Sequence, residues 1–314
     1  MFELSNEVQS KLKKQSKFGI KEEDLKYLVE VVKFLYKKEA KDENNNVIID
    51  TNTGKPKLVD SLRRSGNPKY THPHNVALYL YNKGYSREYI ITALFHDVLE
   101  DTKYTEKNIR KILEKYLELY PNVVEGNKDE FLETIINAVN CVTKKGKISR
   151  PKAPDLELKK PIYINNIRID KISYHEFAEK KQITRNFDGT LVRKSVKDLN
   201  ISDLTEESQK ELENYERELD VYEVKMLSYI NEIKKSKIAR IVKVADRISN
   251  LTDFSPTDNS NWLEKYIRET NEHFLNLAIG TDFGQDFIDA IKVATLTQNV
   301  KKENEHGDKG ELII

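Results

Sequence analysis

Three stretches of this chain carry residues whose types and spacing suit metal-assisted chemistry. His72 stands alone, His96-Asp97 and Glu100-Asp101 follow within one short segment, and Asp246 comes much later. With residues 87–100 as one helix, His96 and Glu100 lie one turn apart, as do Asp97 and Asp101. Carboxylates crowded in this way raise one another's pKa, and a divalent cation reverses the sign of that effect. Imidazole with carboxylate suits manganese, iron, zinc or magnesium, and the lack of thiolates argues against a structural zinc site. A surface helix end explains the His-Asp dipeptide equally well when it is taken alone. Asp246 changes the balance. It sits in IVKVADRISNLTDF among Val242, Val244, Ala245 and Ile248, where a lone acid is costly to desolvate unless paired or metal-bound. Asn250 shares its helix face one turn on. A salt bridge from Asp246 to Arg247 or another base is the purely structural alternative.

The flanking sequence reads as helices that would hold these residues. Ser86 is placed to cap the helix carrying His96, with Glu88 in its first turn and Tyr89, Ile90, Ala93 and Leu94 as its apolar stripe. Upstream, residues 21–40 form an amphipathic pattern with Leu25, Leu28, Val32 and Leu35 on one face. Residues 41–57 have loop chemistry around a short strand at Val47–Ile49. Helix 74–83 ends at Gly84, a C′ residue, and His74 is expected on the surface at its start. Thr105 caps a helix at about 106–118, and another spans 129–142 with Cys141 in its core. The lysines at 144, 145 and 147 read as a solvated run or as phosphate contacts.

Residues 146–204 have a different texture. RPKAPDLELKKP reads as a polar linker, while YINNIRIDKISYHEF and NFDGTLVRKSV read as strands, the second pair turning at Asp188-Gly189. His175 within this segment is not assigned as a ligand. Residues 205–253 then form one or two long helices capped by Thr205, with a stripe of Leu212, Tyr215, Leu219, Tyr222, Val224 and Leu227. Trp262 to Leu277 forms a further helix and 286–300 the last, followed by a Lys/Glu-rich tail expected to fray.

The 314 residues hold 53 basic and 52 acidic side chains, so net charge gives no case for a broad nucleic-acid surface. One cysteine excludes a disulfide scaffold. No apolar run reaches membrane-spanning length, and the opening MFELSNEVQSKLKK lacks the apolar core of a signal peptide. A cytoplasmic protein is expected.

The order H…HD…D resembles the HD-domain metal-dependent phosphohydrolases. The hydrolase domain of the RelA/SpoT alarmone enzymes and their small stand-alone relatives is the branch most similar. Arg63–Pro73 with Val76-Ala77 is similar to R-x-S-G-x-P-x-x-x-H-P followed by V-A; His96–Thr102 reads HDVLEDT; Val242–Asn250 reads VKVADRISN; and AVNCVTK at 138–144 is similar to a weaker element. The resemblance implies an all-α HD-domain helical bundle with a small β-containing insert between the HD motif and the second Asp motif. It implies metal ligands His72, His96, Asp97 and Asp246, and a water-activating pair Glu100 and Asp101. It places Arg63, Ser65, Arg247 and Asn250 against the substrate. It further implies one divalent ion, Mn²⁺ first among others, and removal of the 3′-pyrophosphate of ppGpp or pppGpp to give GDP or GTP. On this reading 1–145 and 205–300 are two parts of the hydrolase core, 146–204 is an insert acting as lid or partner-binding element, and 301–314 is a flexible tail. The gap between Asp101 and Asp246 is much longer than in small alarmone hydrolases. This leaves room for another target: ppApp, a 3′-pyrophosphorylated tRNA end, or a nucleotide or NADPH phosphate. A nucleotide-sequestering module without turnover is the remaining class, and the Glu100-Asp101 pair argues against it, because sequestration needs no water-activating acid.

Overall fold

The computed structural model describes residues 19–63, 66–164, 167–178, 184–185, 191–192, 199–253 and 260–307. Contacts divide the chain into two compact units, one formed by the segments up to Lys145 and from Tyr229 onward, the other by Gly146–Ser228.

The first unit opens with helix α1 (Glu23–Leu35), whose acidic first turn favours the positive helix end and whose Leu25, Leu28, Val32 and Leu35 are buried. The helix expected as far as residue 40 stops at Tyr36. Beyond it the backbone groups of β1 (Lys37–Glu39) are satisfied by antiparallel pairing with β2 (Leu58–Asp60). The strand expected at Val47–Ile49 is reduced to isolated bridges, Lys41 with Val47 and Ile49 with Pro56, and its side chains stay exposed. Helix α2 (Thr71–Asn82) ends in a Schellman motif. Gly84, at φ 78°, donates its N–H to Tyr81 O at 3.0 Å, and Tyr85 donates to Leu80 O at 3.1 Å.

Next come α3 (Arg87–Phe95), α4 (Val98–Asp101), α5 (Glu106–Leu119) and α6 (Lys128–Val142). Ser86 holds the N-cap position of α3, but its hydroxyl donates to Glu88 Oε2 at 2.5 Å and leaves the backbone uncapped. Thr105 starts α5, with its N–H and hydroxyl both donating to Asn108 Oδ1. Asn127 caps α6 by accepting from the Asp129 and Glu130 N–H groups. Cys141 is buried and free.

The second unit is built on an antiparallel hairpin, β3 (Asp155–Ile164) with β4 (Ile167–Ser173), followed by α7 (Tyr174–Ala178) and the two-residue pair β5 (Thr184–Arg185) and β6 (Leu191–Val192). DLELKK therefore lies in a strand, where a linker is expected, because alternate Leu156 and Leu158 reach a core made with Ile172, Phe177, Leu199, Leu204 and Leu212. Residues 174–178, expected as strand, are helical, and the Asp188-Gly189 turn lies outside the described residues. Helix α8 (Glu206–Lys234) begins on this core. Thr205 N–H donates to Glu157 O at 2.9 Å, Glu157 N–H donates to Ser208 Oγ at 2.8 Å, and Thr205 Oγ1 accepts from Ser208 N–H at 3.3 Å. The compact unit therefore ends at 228, whereas the expected insert ends at 204. Within α8, Leu212, Tyr215, Tyr222 and Met226 are buried, and the stripe members Val224 and Leu227 are exposed.

The first unit resumes with the end of α8 and then α9 (Lys237–Thr252), capped by Ser236 Oγ accepting from Ala239 N–H. Helix α9 is buried around most of its circumference, with Lys243, Asp246 and Arg247 among its buried residues, and packs against α2, α3, α6 and α12 (Gly284–Gly307). Helix α10 (Ser260–Glu269), a π-type turn (Thr270–Phe274) and α11 (Leu275–Ala278) lead into α12. Helix α12 runs through Gly307, so the tail expected to fray from Lys301 is helical to that point. Among the described residues, no helix is long and apolar enough to cross a membrane.

Candidate metal centre

The residues flagged by chemistry meet at the centre of the first unit. His72 is delivered by the first turn of α2, His96 and Asp97 by the junction between α3 and α4, and Asp246 by the middle of α9. One ligand atom from each of His72, His96 and Asp97 lies within 4.8 Å of the others, an arrangement that could hold a metal ion. Asp97 Oδ1 is 3.2 Å from His96 Nε2, and Asp97 Oδ2 is 3.6 Å from His72 Nε2. Asp246 Oδ1 lies 2.8 Å from His72 Nε2 and 3.6 Å from His96 Nε2.

The α3–α4 junction departs from the single helix expected over residues 87–100. His96 keeps helical angles, whereas Asp97 takes φ −100° and ψ −3°, a bridge conformation in which active-site residues recur. The helix breaks at the pair itself, although Asp101 N–H still donates to Asp97 O at 2.8 Å.

His96 shows what the cluster is built to accept. Its Nδ1–H donates to Ala93 O at 2.7 Å, which leaves Nε2 as the nitrogen facing the carboxylates. That Nε2 is buried and makes no hydrogen bond despite its two acidic neighbours. Burial opposes charge on the ring, but Asp97 and then Asp246 outweigh it and hold the imidazolium pKa at about 10. A proton thus supplies positive charge that a cation would supply instead, and the donor set fits a borderline or hard divalent ion. Metal binding to the neutral ring must release this proton. At pH 8, calorimetry of Mn²⁺ binding in buffers of different ionisation enthalpy is expected to show about one proton released, with affinity rising as pH rises toward 10.

Asp246 is not the isolated acid that the sequence allowed. Its Oδ2 lies 2.7 Å from Lys243 Nζ, one helical turn back, and both residues are buried. Burial works against this carboxylate's charge, yet Lys243, His72 and His96 hold its pKa well below the ordinary range. The base is Lys243, and Arg247 is engaged elsewhere. The Arg247 guanidinium pairs with Glu269 Oε1 at 2.6 Å, donates to Thr270 Oγ1 at 3.2 Å, and stacks 3.6 Å from the Phe274 ring centroid. Lys243 is the residue that sequence reasoning missed. Its signal was a lysine three positions before an acid, each set among Ile241, Val242, Val244, Ala245 and Ile248.

A polar rim surrounds the cluster. Asn250 Nδ2 donates to Asp246 Oδ1 at 2.7 Å while its Oδ1 accepts from Arg63 Nη2 at 3.0 Å, linking the cluster to the 63–70 loop. Gly66, at φ 81°, donates to Arg63 O at 3.0 Å, and Arg63 N–H donates to Asn67 O at 2.8 Å. The turn thus needs a residue without Cβ. Ser65 lies outside the described residues. Lys69 Nζ is 3.2 Å from Asp101 Oδ2, while Glu100 is exposed. Lys144 is half-buried; burial, Lys243 and Arg247 lower its pKa, and Glu100 and Glu269 oppose them. His74 is also half-buried rather than on the surface, and burial lowers its pKa.

Part of the chain is similar in sequence to a known protein. Over 72 residues the chain is 43% identical to guanosine-3′,5′-bis(diphosphate) 3′-pyrophosphohydrolase of Aquifex aeolicus (strain VF5). The match covers 23% of this chain and 10% of that enzyme. No family model matches the chain.

Proposed function

We propose that the chain is a metal-dependent hydrolase that removes the 3′-pyrophosphate of (p)ppGpp, leaving GDP or GTP. The observation that carries this reading is the convergence of His72, His96, Asp97 and Asp246 in one buried cluster, with Glu100 and Asp101 directly following the ligand pair. The similarity to a guanosine-3′,5′-bis(diphosphate) 3′-pyrophosphohydrolase supports the choice of substrate.

His72, His96, Asp97 and Asp246 would hold one divalent ion, Mn²⁺ first, which when bound would supply a Lewis acid for a phosphoryl oxygen and for water. Glu100 accepts the proton of the attacking water. It is the freer member of its pair, since Lys69 engages the Asp101 carboxylate. Asp101, fixed by that contact, orients the water. Water oxygen bonds to the phosphorus attached to the ribose 3′-oxygen, the P–O3′ bond breaks, and the 3′-oxygen takes up the proton that Glu100 received from the water. Arg63 and Lys144 supply positive charge for the pyrophosphate, and Asn250 holds Arg63 in place. Arg247, placed against the substrate by the motif, acts through packing, because Glu269 already matches its charge.

The deciding assay offers ppGpp, ppApp, GTP, NADPH and a 3′-pyrophosphorylated tRNA to purified protein with Mn²⁺ and identifies the phosphate product. Pyrophosphate release from ppGpp that a chelator abolishes supports the proposal; silence on ppGpp with turnover of another substrate replaces the substrate and keeps the metal chemistry. Lys144→Ala is expected to raise KM for the working substrate on the order of tenfold with kcat changed less, as loss of one charge-assisted phosphate contact implies. Steady-state kinetics checks this, and an unchanged KM removes Lys144 from substrate binding.

A further inference from the structure

The two carboxylate oxygens of Asp246 have different partners, and a residue outside the proposed ligand set makes them differ. Oδ2 lies 2.7 Å from Lys243 Nζ. Oδ1 lies 2.8 Å from His72 Nε2 and 3.6 Å from His96 Nε2, and it accepts from Asn250 Nδ2 at 2.7 Å. Lys243 and Asn250 stand three residues before and four residues after Asp246 on α9, so all three share a helix face. The carboxylate is held at both oxygens.

Lys243 is itself fixed. It is 6% exposed, and its Nζ lies 6.0 Å from the centre of the Tyr229 ring, within reach of a cation–π contact. Tyr229 is buried and its hydroxyl donates to Val142 O at 2.5 Å, which ties the ring to the end of α6. An ammonium buried in this way is a strong donor to Oδ2, because a charged hydrogen bond in a dry site is costly to break. Oδ1 is then the oxygen turned toward both imidazoles, the nitrogens that also face Asp97. An aspartate without such a clamp is free to give a cation one oxygen or both.

We infer that Lys243 is a positioning residue for the metal centre: it occupies Asp246 Oδ2 and leaves Oδ1 as the single oxygen that Asp246 offers a cation. The inference rests on the ligand set proposed above and not on the identity of the substrate. A carboxylate restricted to one oxygen fills one coordination position instead of two, and so keeps a position open for water or a phosphoryl oxygen. The restriction also works against Ca²⁺, which favours many oxygen ligands and bidentate carboxylates.

Lys243→Met and Lys243→Gln separate this role from charge pairing alone. Met removes the donor and frees Oδ2, whereas Gln keeps an N–H donor and removes only the charge. Water-proton relaxation of the Mn²⁺-loaded proteins counts the waters left on the ion. Lys243→Met is expected to hold about one water fewer than wild type, replaced by the second Asp246 oxygen, and Lys243→Gln the wild-type number. Calorimetry is expected to show the preference for Mn²⁺ over Ca²⁺ falling about tenfold in Lys243→Met and less in Lys243→Gln. A wild-type water count in Lys243→Met overturns the inference, as does an equal loss in both variants, which assigns the effect to charge. Where Lys243→Met does not fold, a crystal of the wild-type protein grown with Mn²⁺ decides. One Asp246 oxygen on the ion with Lys243 on the other is the expected result, and two oxygens on the ion overturn this inference alone. Mn²⁺ bound without Asp246 in that crystal overturns the ligand set and this inference with it.

Discussion

Asp246→Ala is expected to abolish turnover and metal binding and also to lower folding stability by about 3–5 kcal/mol, because it strands the buried Lys243 ammonium without its partner. The second effect separates Asp246 from Asp97. Asp97 has His96 and His72 as its neighbours and a quarter of its side chain exposed, so Asp97→Ala removes a proposed ligand without leaving a buried lysine unmatched. A double replacement, Asp246→Leu with Lys243→Met, removes both charges and is expected to recover most of the lost stability without recovering metal. Denaturant titration, metal content and product release on the two single variants and the double variant check this. Full metal content in Asp246→Ala sinks its role as a ligand, and wild-type stability in that variant shows that Lys243 finds water or another acid.

Glu100→Gln is expected to keep the fold and the metal while turnover falls by a factor on the order of 10² to 10⁴, the range for removing a general base. The amide retains shape and one acceptor oxygen but cannot take a proton at neutral pH. Asp101→Asn is expected to do less to the chemical step, since Lys69 already engages that carboxylate and its part is orientation. Parallel kcat measurements on the two variants decide the order, and a larger loss from Asp101→Asn exchanges the two roles. Wild-type turnover in Glu100→Gln removes the residue from the chemistry.

Local signals in the sequence carried much of the helical framework. The stripe of Leu25, Leu28, Val32 and Leu35, the Thr105 start of α5 and Gly84 after α2 each combine a periodic apolar face with a known terminus, and such features survive tertiary packing. What stayed illegible depends on partners distant in sequence. A continuous helix through His96 and Asp97 was the natural local reading, but drawing these side chains toward α2 and α9 breaks it. The pairing of Arg247 with Glu269, 22 residues away, could not be read from the local sequence. Leu156 and Leu158 alternate within a lysine-rich, proline-flanked segment, which hid a strand behind the composition of a linker.

The pairing of His72 with Asp246 also bears on how the protein is made. Their contact spans 174 residues of chain, and the whole 146–228 unit lies between the two halves that supply the cluster. At a synthesis rate of about 5–20 residues per second, the first half waits roughly 10–35 s on the ribosome before its last carboxylate emerges. Under the proposed ligand set, Asp97, His96 and His72 would form an incomplete chelate during that interval, and an ion captured early would be held weakly and exchange freely. Metal choice would then be made late, after α9 has docked, and an ion bound across so long a loop would also fasten the chain's two halves together.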